Sequence, residues 1–380
     1  MNDRKNRTFN GELMQCVGIL EILENGKFGQ LLDPKLGGYI NASDPYVGHD
    51  LLKKFELRRG QLIDVHAMPR SNFPNPKVIS IDRIDGLPVE RVLARSKFFS
   101  MESTMPREQL RLENDGCTIS SRVVDLFCPI AKGQRGLIVA PPRTGKTLLL
   151  HEIARGISAN YPDIKIIVAL IDERPEEVTD FKRSVDAEIF ASPNDQPMRN
   201  HTRIAELACE RAKNLVELGH DVVVLIDSIT RLARAYNNFS SGGRTMSGGV
   251  DSRALEKPRQ LFSLARDLGG RGSLTVLASA LVETGSKMDD LIFQEFKGTG
   301  NAEIVLNKKL AEQRIWPAVD LKESGVRREE NILAPKILRS VEFLRRAFGN
   351  MRSEEATESI LQRMKQTRTN AEFLGMLKGI

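Results

Sequence analysis

Four cysteines in 380 residues, at Cys16, Cys117, Cys128 and Cys209, are too few and too scattered for a disulfide framework. None belongs to a Cys-x-x-Cys pair and no histidine cluster accompanies them, so a structural zinc site is not indicated. Reduced, buried thiols of a cytoplasmic protein are the expectation. Long hydrophobic runs are missing too. The longest, Ile166 to Ile171 and Val222 to Ile226, have the length of buried strands, far below the roughly 20 residues of a membrane span. The first twelve residues are polar and hold no apolar core of signal-peptide length. There is no repeat, and the only Gly/Ser-rich stretch is Ser240 to Gly249. What is present is ordinary for a folded chain: 41% hydrophobic and 28% charged residues. A chain this long can build two or three domains, each with its own core.

The net charge of +6 suits a nucleic-acid partner, but it equally suits a merely basic enzyme. Residues 1–85 hold 12 Lys and Arg against 11 Asp and Glu. Any nucleic-acid site there must rest on local arrangement.

The pattern along the chain predicts an α/β protein. Residues 1–12 form a polar tail. In 13–85, β-branched stretches (Met14 to Leu23, Phe28 to Leu32, Leu62 to Met68, Val78 to Ile84) alternate with turns at Asn25-Gly26, Gly37-Gly38 and Pro69 to Pro76. Four or five short strands fit a small oligonucleotide-binding (OB)-like barrel, although a small sandwich would read much the same. Residues 86–118 lose this rhythm and are expected to connect to a domain spanning 119–380. There, strands at Gly136 to Val139, Ile166 to Ile171, Val222 to Ile226 and Leu274 to Leu281 alternate with helices. One helix should start near Gly145 and another should span Ile204 to Leu218. That order implies a mainly parallel sheet covered on both faces.

Ala140-Pro-Pro-Arg-Thr-Gly-Lys-Thr147 joins the first of these strands to its helix. It matches a phosphate-binding P-loop except that Ala140 replaces the first Gly. The backbone N–H groups of Arg143, Thr144, Gly145 and Leu148 can point at anionic phosphates beside a helix N-terminus. Lys146 places a cation against the β- and γ-phosphates, and the Thr147 hydroxyl can complete a Mg²⁺ shell. ATP with Mg²⁺ is the cofactor set this loop implies.

Two further strands end in acids. Val222 to Ile226 runs into Asp227-Ser228, where a carboxylate can hold Mg²⁺ or simply cap the next helix. Ile166 to Ile171 runs into Asp172-Glu173. Either acid could position the attacking water, and Glu173 sits where a parallel sheet delivers such a residue. Arg231 and Arg234 lie three apart on the helix after Asp227. They form either a solvated basic face or groups that reach a phosphate or a neighbouring subunit.

Five strings together resemble the Rho family of transcription termination factors. They are Ala140 to Thr147 with its unusual Ala, Ile171-Asp-Glu-Arg-Pro-Glu-Glu-Val178, Asp227-Ser-Ile-Thr-Arg-Leu-Ala-Arg-Ala-Tyr236, Thr284-Gly-Ser-Lys-Met-Asp289 and Phe296-Lys-Gly-Thr-Gly-Asn301. The resemblance covers about residues 15–380. It implies a homohexameric RecA-like ring that binds nascent single-stranded RNA, translocates on it with ATP and dissociates an RNA polymerase elongation complex. It also implies that Glu173 activates water, that Asp227 serves the metal and that Arg327 acts as an arginine finger on the adjacent subunit's ATP. Arg174 and Arg231 would add phosphate or coupling contacts, and Trp316 would lie near the adenine. Two loops would face the pore: Gly242 to Gly249, with Arg244, Ser247 and Gly248, and Gly285 to Lys287, with Lys287 meeting phosphate.

The barrel departs from the family pattern. The family's pair of aromatics flanking a Gly appears as Phe28-Gly29-Gln30, with the second ring replaced, and Leu32 stands where the family has Arg. Tyr46 is the candidate second platform for stacked bases. Only a dozen polar residues stand where the family has a small helical segment ahead of its barrel. Two other functions fit the motifs: a related motor acting on DNA, and a nucleotide-gated RNA-binding protein without turnover.

Overall fold

The computed structural model describes residues 13–23, 26–239 and 247–377. Its first part is a closed five-stranded barrel in the order β1-β2-β3-β5-β4. The strands are β1 (Met14–Leu23), β2 (Phe28–Leu32), β3 (Tyr46–Gly48), β4 (Leu62–Met68) and β5 (Lys77–Ile84), with α1 (His49–Lys54) between β3 and β4. Leu20, Leu31, Ile63, Val65 and Val78 fill the interior. A sandwich is therefore ruled out. Short β3 carried too little alternation to be foreseen.

After α2 (Val89–Leu93), the second part comprises α3 (Ile119–Phe127), β6 (Arg135–Ala140), α4 (Lys146–Asn160), β7 (Lys165–Ile171), α5 (Pro175–Ser184), β8 (Glu188–Ser192), α6 (Met198–Glu217), β9 (Asp221–Asp227) and α7 (Ile229–Phe239). It continues with α8 (Glu256–Phe262), β10 (Arg266–Asp267), β11 (Ser273–Leu281), α9 (Lys287–Phe296), β12 (Ala302–Val305), α10 (Lys308–Glu312), β13 (Gly325–Val326), α11 (Pro335–Ala347), α12 (Ser353–Lys365) and α13 (Asn370–Met376). The described strands form one sheet, ordered β13-β12-β6-β11-β9-β7-β8, with β10 paired to β11. The pairs from β12 to β8 are parallel, while β13 and β10 are antiparallel. Because helices cover both faces, β6, β7, β9 and β11 are nearly continuous apolar runs.

Parallel strands put all their carboxyl ends on one edge, and that edge carries Ala140, Ile171, Asp227 and Leu281. Helix α6 starts at Met198, six residues before the predicted Ile204. It packs Ile204, Leu207, Ala208 and Leu215 into the core beneath the sheet. Its polar side ties the barrel down. Buried Glu21 of β1 pairs with Arg59 at 2.6 Å and with Arg203 of α6 at 2.9 Å, and Glu217 pairs with Arg95 at 2.7 Å. Removing one partner of such a buried pair strands a charge, at a cost of about 3–5 kcal/mol.

Candidate nucleotide-hydrolysis site

The loop after β6 turns through Arg143 (φ 64°) and Gly145 (φ 86°) into α4. A Cβ at Gly145 would lie 2.9 Å from Trp316 Cζ3. Glycine is needed there both for the left-handed backbone and for the indole packed against it. Trp316 thus borders the phosphate loop. The Thr144 hydroxyl donates to Pro141 O at 2.7 Å and holds the loop closed. Leu148, in the first turn of α4, is 56% exposed, an apolar surface beside the loop.

Lys146 Nζ reaches from the first turn of α4 to both strand-end acids. It meets Glu173 Oε1 at 2.7 Å and also contacts Asp227 Oδ1. Burial alone would push Lys146 down, but the charges of Asp227 and Glu173 outweigh it and hold the ammonium above its ordinary pKa. Glu173, 3% exposed, is pushed up. Burial is the first cause and the Asp227 charge the second, with Lys146 and Arg231 opposing them. Asp227 Oδ1 also accepts from Ser279 Oγ of β11 at 2.6 Å, while its Oδ2 is buried with no hydrogen-bond partner. An orphaned buried carboxylate oxygen, on an acid that contacts the lysine preceding Thr147, suits a hard cation that takes its other ligands from phosphate and water. Among the described residues no cluster of three His, Cys, Asp or Glu could hold a metal by itself.

Ser228, not Asp227, caps α7, since its Oγ accepts from Arg231 N at 3.2 Å. The two arginines of α7 diverge. Arg231 leans on Asp172 at 3.5 Å and on Glu173 at 3.7 Å. Arg234 forks onto the buried Asp289 carboxylate at 2.7 and 2.5 Å. A free basic face is thereby excluded for both. Arg174 is exposed just before α5. Sequence reasoning did not single out Ser279, nor Glu177, whose Oε2 accepts from the Thr147 hydroxyl at 3.1 Å. No local pattern marks either residue, because both are defined only by strand and helix neighbours.

Arg327 does not join this cluster. It follows β13, on the sheet edge opposite the phosphate loop. Of the predicted pore residues, Arg244 and the Ser247 side chain lie outside the described part of the structure. Gly248 (φ 81°) rests on the start of α9, where a Cβ would come within 3.0 Å of Lys287 O. The structure thus brings the second loop against the end of the first. On the barrel, Phe28 and Tyr46 stack with centroids 5.5 Å apart. Gln30 stands opposite Tyr46 across β2 and β3, and Leu32 is buried outside the barrel interior, in the apolar cluster that includes Phe190 and Ile204. Arg70, not foreseen, lies over Tyr46 at 4.9 Å and over Phe73 at 4.2 Å.

A phosphate loop, a lysine shared by two strand-end carboxylates and a parallel sheet define a P-loop ATPase. The nucleotide-binding domain of the ATP synthase alpha/beta family matches residues 120–325, more than half of the chain. Two solved structures share the fold at a TM-score of 0.59. One is a type III secretion ATPase (24% identity, 72% of this chain and 80% of that one). The other is the EscN ATPase of enteropathogenic E. coli (23% identity, 81% and 74%). Over 368 residues, transcription termination factor Rho of Streptosporangium roseum is 48% identical (96% of this chain, 93% of that one). The factor of Akkermansia muciniphila is 47% identical (96% and 77%). That of Streptomyces lividans is 48% identical over 95% of this chain, which spans only 51% of its length. The chain belongs to the Rho family of transcription termination factors.

Proposed function

We propose that the protein is an RNA-dependent ATPase of the bacterial cytoplasm that works as a homohexameric ring, translocates on nascent single-stranded RNA and terminates transcription by RNA polymerase. The observation that carries the reading is Lys146 held between Glu173 and Asp227 at the strand-end edge of a chain of this family. No helix among the described residues is long and apolar enough to cross a membrane.

In this reading residues 13–85 are an OB-type RNA-binding domain, 86–118 a connector and 119–380 the motor. ATP docks its phosphates on the phosphate loop and its adenine near Trp316, with Leu148 offering apolar contact. Lys146 exchanges its carboxylate partners for the β- and γ-phosphates. Thr147 and Asp227 would hold Mg²⁺, which neutralises charge on the phosphates when bound. Freed of Lys146, Glu173 accepts the proton of a water whose oxygen attacks the γ-phosphorus. The bond from that phosphorus to the β–γ bridging oxygen breaks, giving ADP and phosphate. Arg231, already near Glu173 and Asp172, and Arg174 respond to the change. Because α7 carries both Arg231 and Arg234, its movement reaches Asp289 and with it Lys287 and Gly248, which hold the RNA backbone. Phe28 and Tyr46 provide the first grip on RNA by stacking bases.

A test compares ATPase stimulation by poly(C) RNA with that by the matching DNA. Stimulation by RNA and not by DNA is the expected result. Stimulation by DNA alone, or full turnover by a strict monomer, overturns the reading.

A further inference from the structure

The string Phe296-Lys-Gly-Thr-Gly-Asn301 is not explained by the phosphate loop. Its surroundings account for each residue that departs from ordinary helix-to-strand chemistry. Asn301 Oδ1 accepts from Arg135 N at 2.9 Å. Asn301 N donates to Arg135 O, and Asn301 O accepts from Arg327 N, both at 2.8 Å. One asparagine therefore clasps the backbones of two arginines. A Cβ at Gly300 would lie 3.1 Å from Arg135 O, and one at Gly298, where φ is +84°, would lie 3.8 Å from Arg327 Nη2. Gly300 lets the Arg135 backbone approach closely, and Gly298 supplies the left-handed turn beside the Arg327 guanidinium. The Arg135 guanidinium lies 5.9 Å from the Phe262 ring, which meets Phe296 edge-on.

The pair lacks a counter-charge. Burial and the neighbouring Arg327 charge hold Arg135 below the usual arginine range. Arg135 Nε is buried without a hydrogen-bond partner. Among the described residues neither guanidinium makes an ion pair, whereas Arg58, Arg59, Arg95, Arg203, Arg211 and Arg234 all do. Two adjacent guanidiniums kept without a carboxylate are arranged for an anion from outside.

Topology says which anion. Arg135 begins β6, and the phosphate loop follows its last residue, Ala140. At a rise of about 3.3 Å per residue the two ends lie roughly 17 Å apart. Val326 pairs with Ala302, which pairs with Gly136, so Arg327 shares Arg135's edge. Neither arginine can reach a nucleotide held by its own chain's Lys146. Lys287 and Gly248, the residues read as RNA contacts, follow the opposite ends of the strands. A surface with the nucleotide on one edge and unpaired guanidiniums on the other is built for head-to-tail assembly.

We propose that Arg135 and Arg327 form a single anion site for the terminal phosphate of a nucleotide bound to a second copy of this chain. Arg135 is the second cation donated in trans, and Asn301 is the positioning residue that keeps the two in register. This rests on the reading of Arg327 as a trans-acting finger.

The test is subunit mixing. Arg135→Gln should lower RNA-stimulated turnover by about ten- to hundred-fold, less than the roughly thousand-fold expected for Arg327→Ala. Quenching of Trp316 by ADP and the thermal unfolding midpoint should stay unchanged, which separates this from a folding defect. Mixing Arg135→Gln subunits with Lys146→Ala subunits should restore activity above either alone, because intact loops then face intact arginines. The same mixing of Arg327→Ala with Lys146→Ala tests the underlying reading. If only the Arg327 mixture recovers, or if Arg135→Gln has full activity, the role of Arg135 is overturned and the trans finger stands. If neither mixture recovers, both fall. Weaker RNA binding by Arg135→Gln with unchanged turnover at saturating RNA would assign the site to an RNA phosphate and overturn the proposal. Arg135→Lys, which keeps charge but not the fork, should recover only part of the loss.

Discussion

The phosphate-loop edge of the sheet and the aromatic face of the barrel stand at opposite extremes of constraint. At the phosphate-loop edge the buried charged side chains are tied to one another. Lys146 meets Glu173 and Asp227, Ser279 holds Asp227, and Arg231 meets Glu173. A single change there leaves a buried charge unpaired. On the barrel, Phe28 and Tyr46 meet chiefly each other and Arg70, whose guanidinium donates to Asn75. Stacking needs a flat face and little else, so the position of a ring can drift. The strings that resemble the family accordingly lie around the phosphate loop, while the barrel carries Gln30 where the resemblance implies a second ring.

The sharpest way to break the comparison is at Glu173. Glu173→Gln keeps size and loses the base. Turnover should fall by about 10²–10⁴-fold, with ADP quenching of Trp316 retained. Surviving turnover would hand the role to Asp172, which lies on the same turn and shares Arg231.

The same residue makes a pH prediction. Glu173 must be ionised to accept a proton, and burial with the Asp227 charge lifts its pKa. A raised acid stays protonated to higher pH, so kcat/KM should rise with pH along a limb displaced above the ordinary glutamate range. That limb reports the free enzyme. A limb at or below the ordinary value would mean that the nucleotide-free cluster does not set the protonation of the base.

Much of this edge was legible because its chemistry coincides with strand ends. β7, β9 and β11 start within one residue of their predicted limits, and Lys146, Glu173 and Asp227 meet as the motifs imply. Residues whose roles depend on distant partners were not legible. Ser279 is one small residue in an apolar run, and Asn301 makes sense only once Arg135 and Arg327 are seen beside it. Arg234 read as either a solvated charge or a phosphate or subunit contact, because its partner Asp289 is 55 positions away. In the barrel, three-residue β3 was too short to show a period, and Arg70 sits in a proline-rich loop that reads as a turn.

Tyr46→Ala tests the barrel itself. Base stacking contributes about 1–3 kcal/mol, so affinity for short pyrimidine RNA should fall roughly ten-fold or more. At saturating RNA, turnover should remain near normal. A large drop in turnover there would show that the barrel is coupled to hydrolysis beyond its part in binding.

Gln30→Phe is the mildest change and the most direct probe of why the two regions differ. Gln30 pairs with Tyr46 in register, so the new ring would stand beside an existing platform, on the same face of β2 as Phe28. It is half-buried, so a ring at this position displaces little packed structure. The added surface can stack one more base, and RNA affinity should rise by about three- to ten-fold, within the range of one stacking contact. Nucleotide binding and maximal turnover should not change. If affinity stays flat while the barrel remains folded, Arg70 and Phe73 already occupy the space that a second ring would use. The loss at Gln30 would then have been compensated from the proline-rich loop, and the barrel would be less free to drift than its departures suggest.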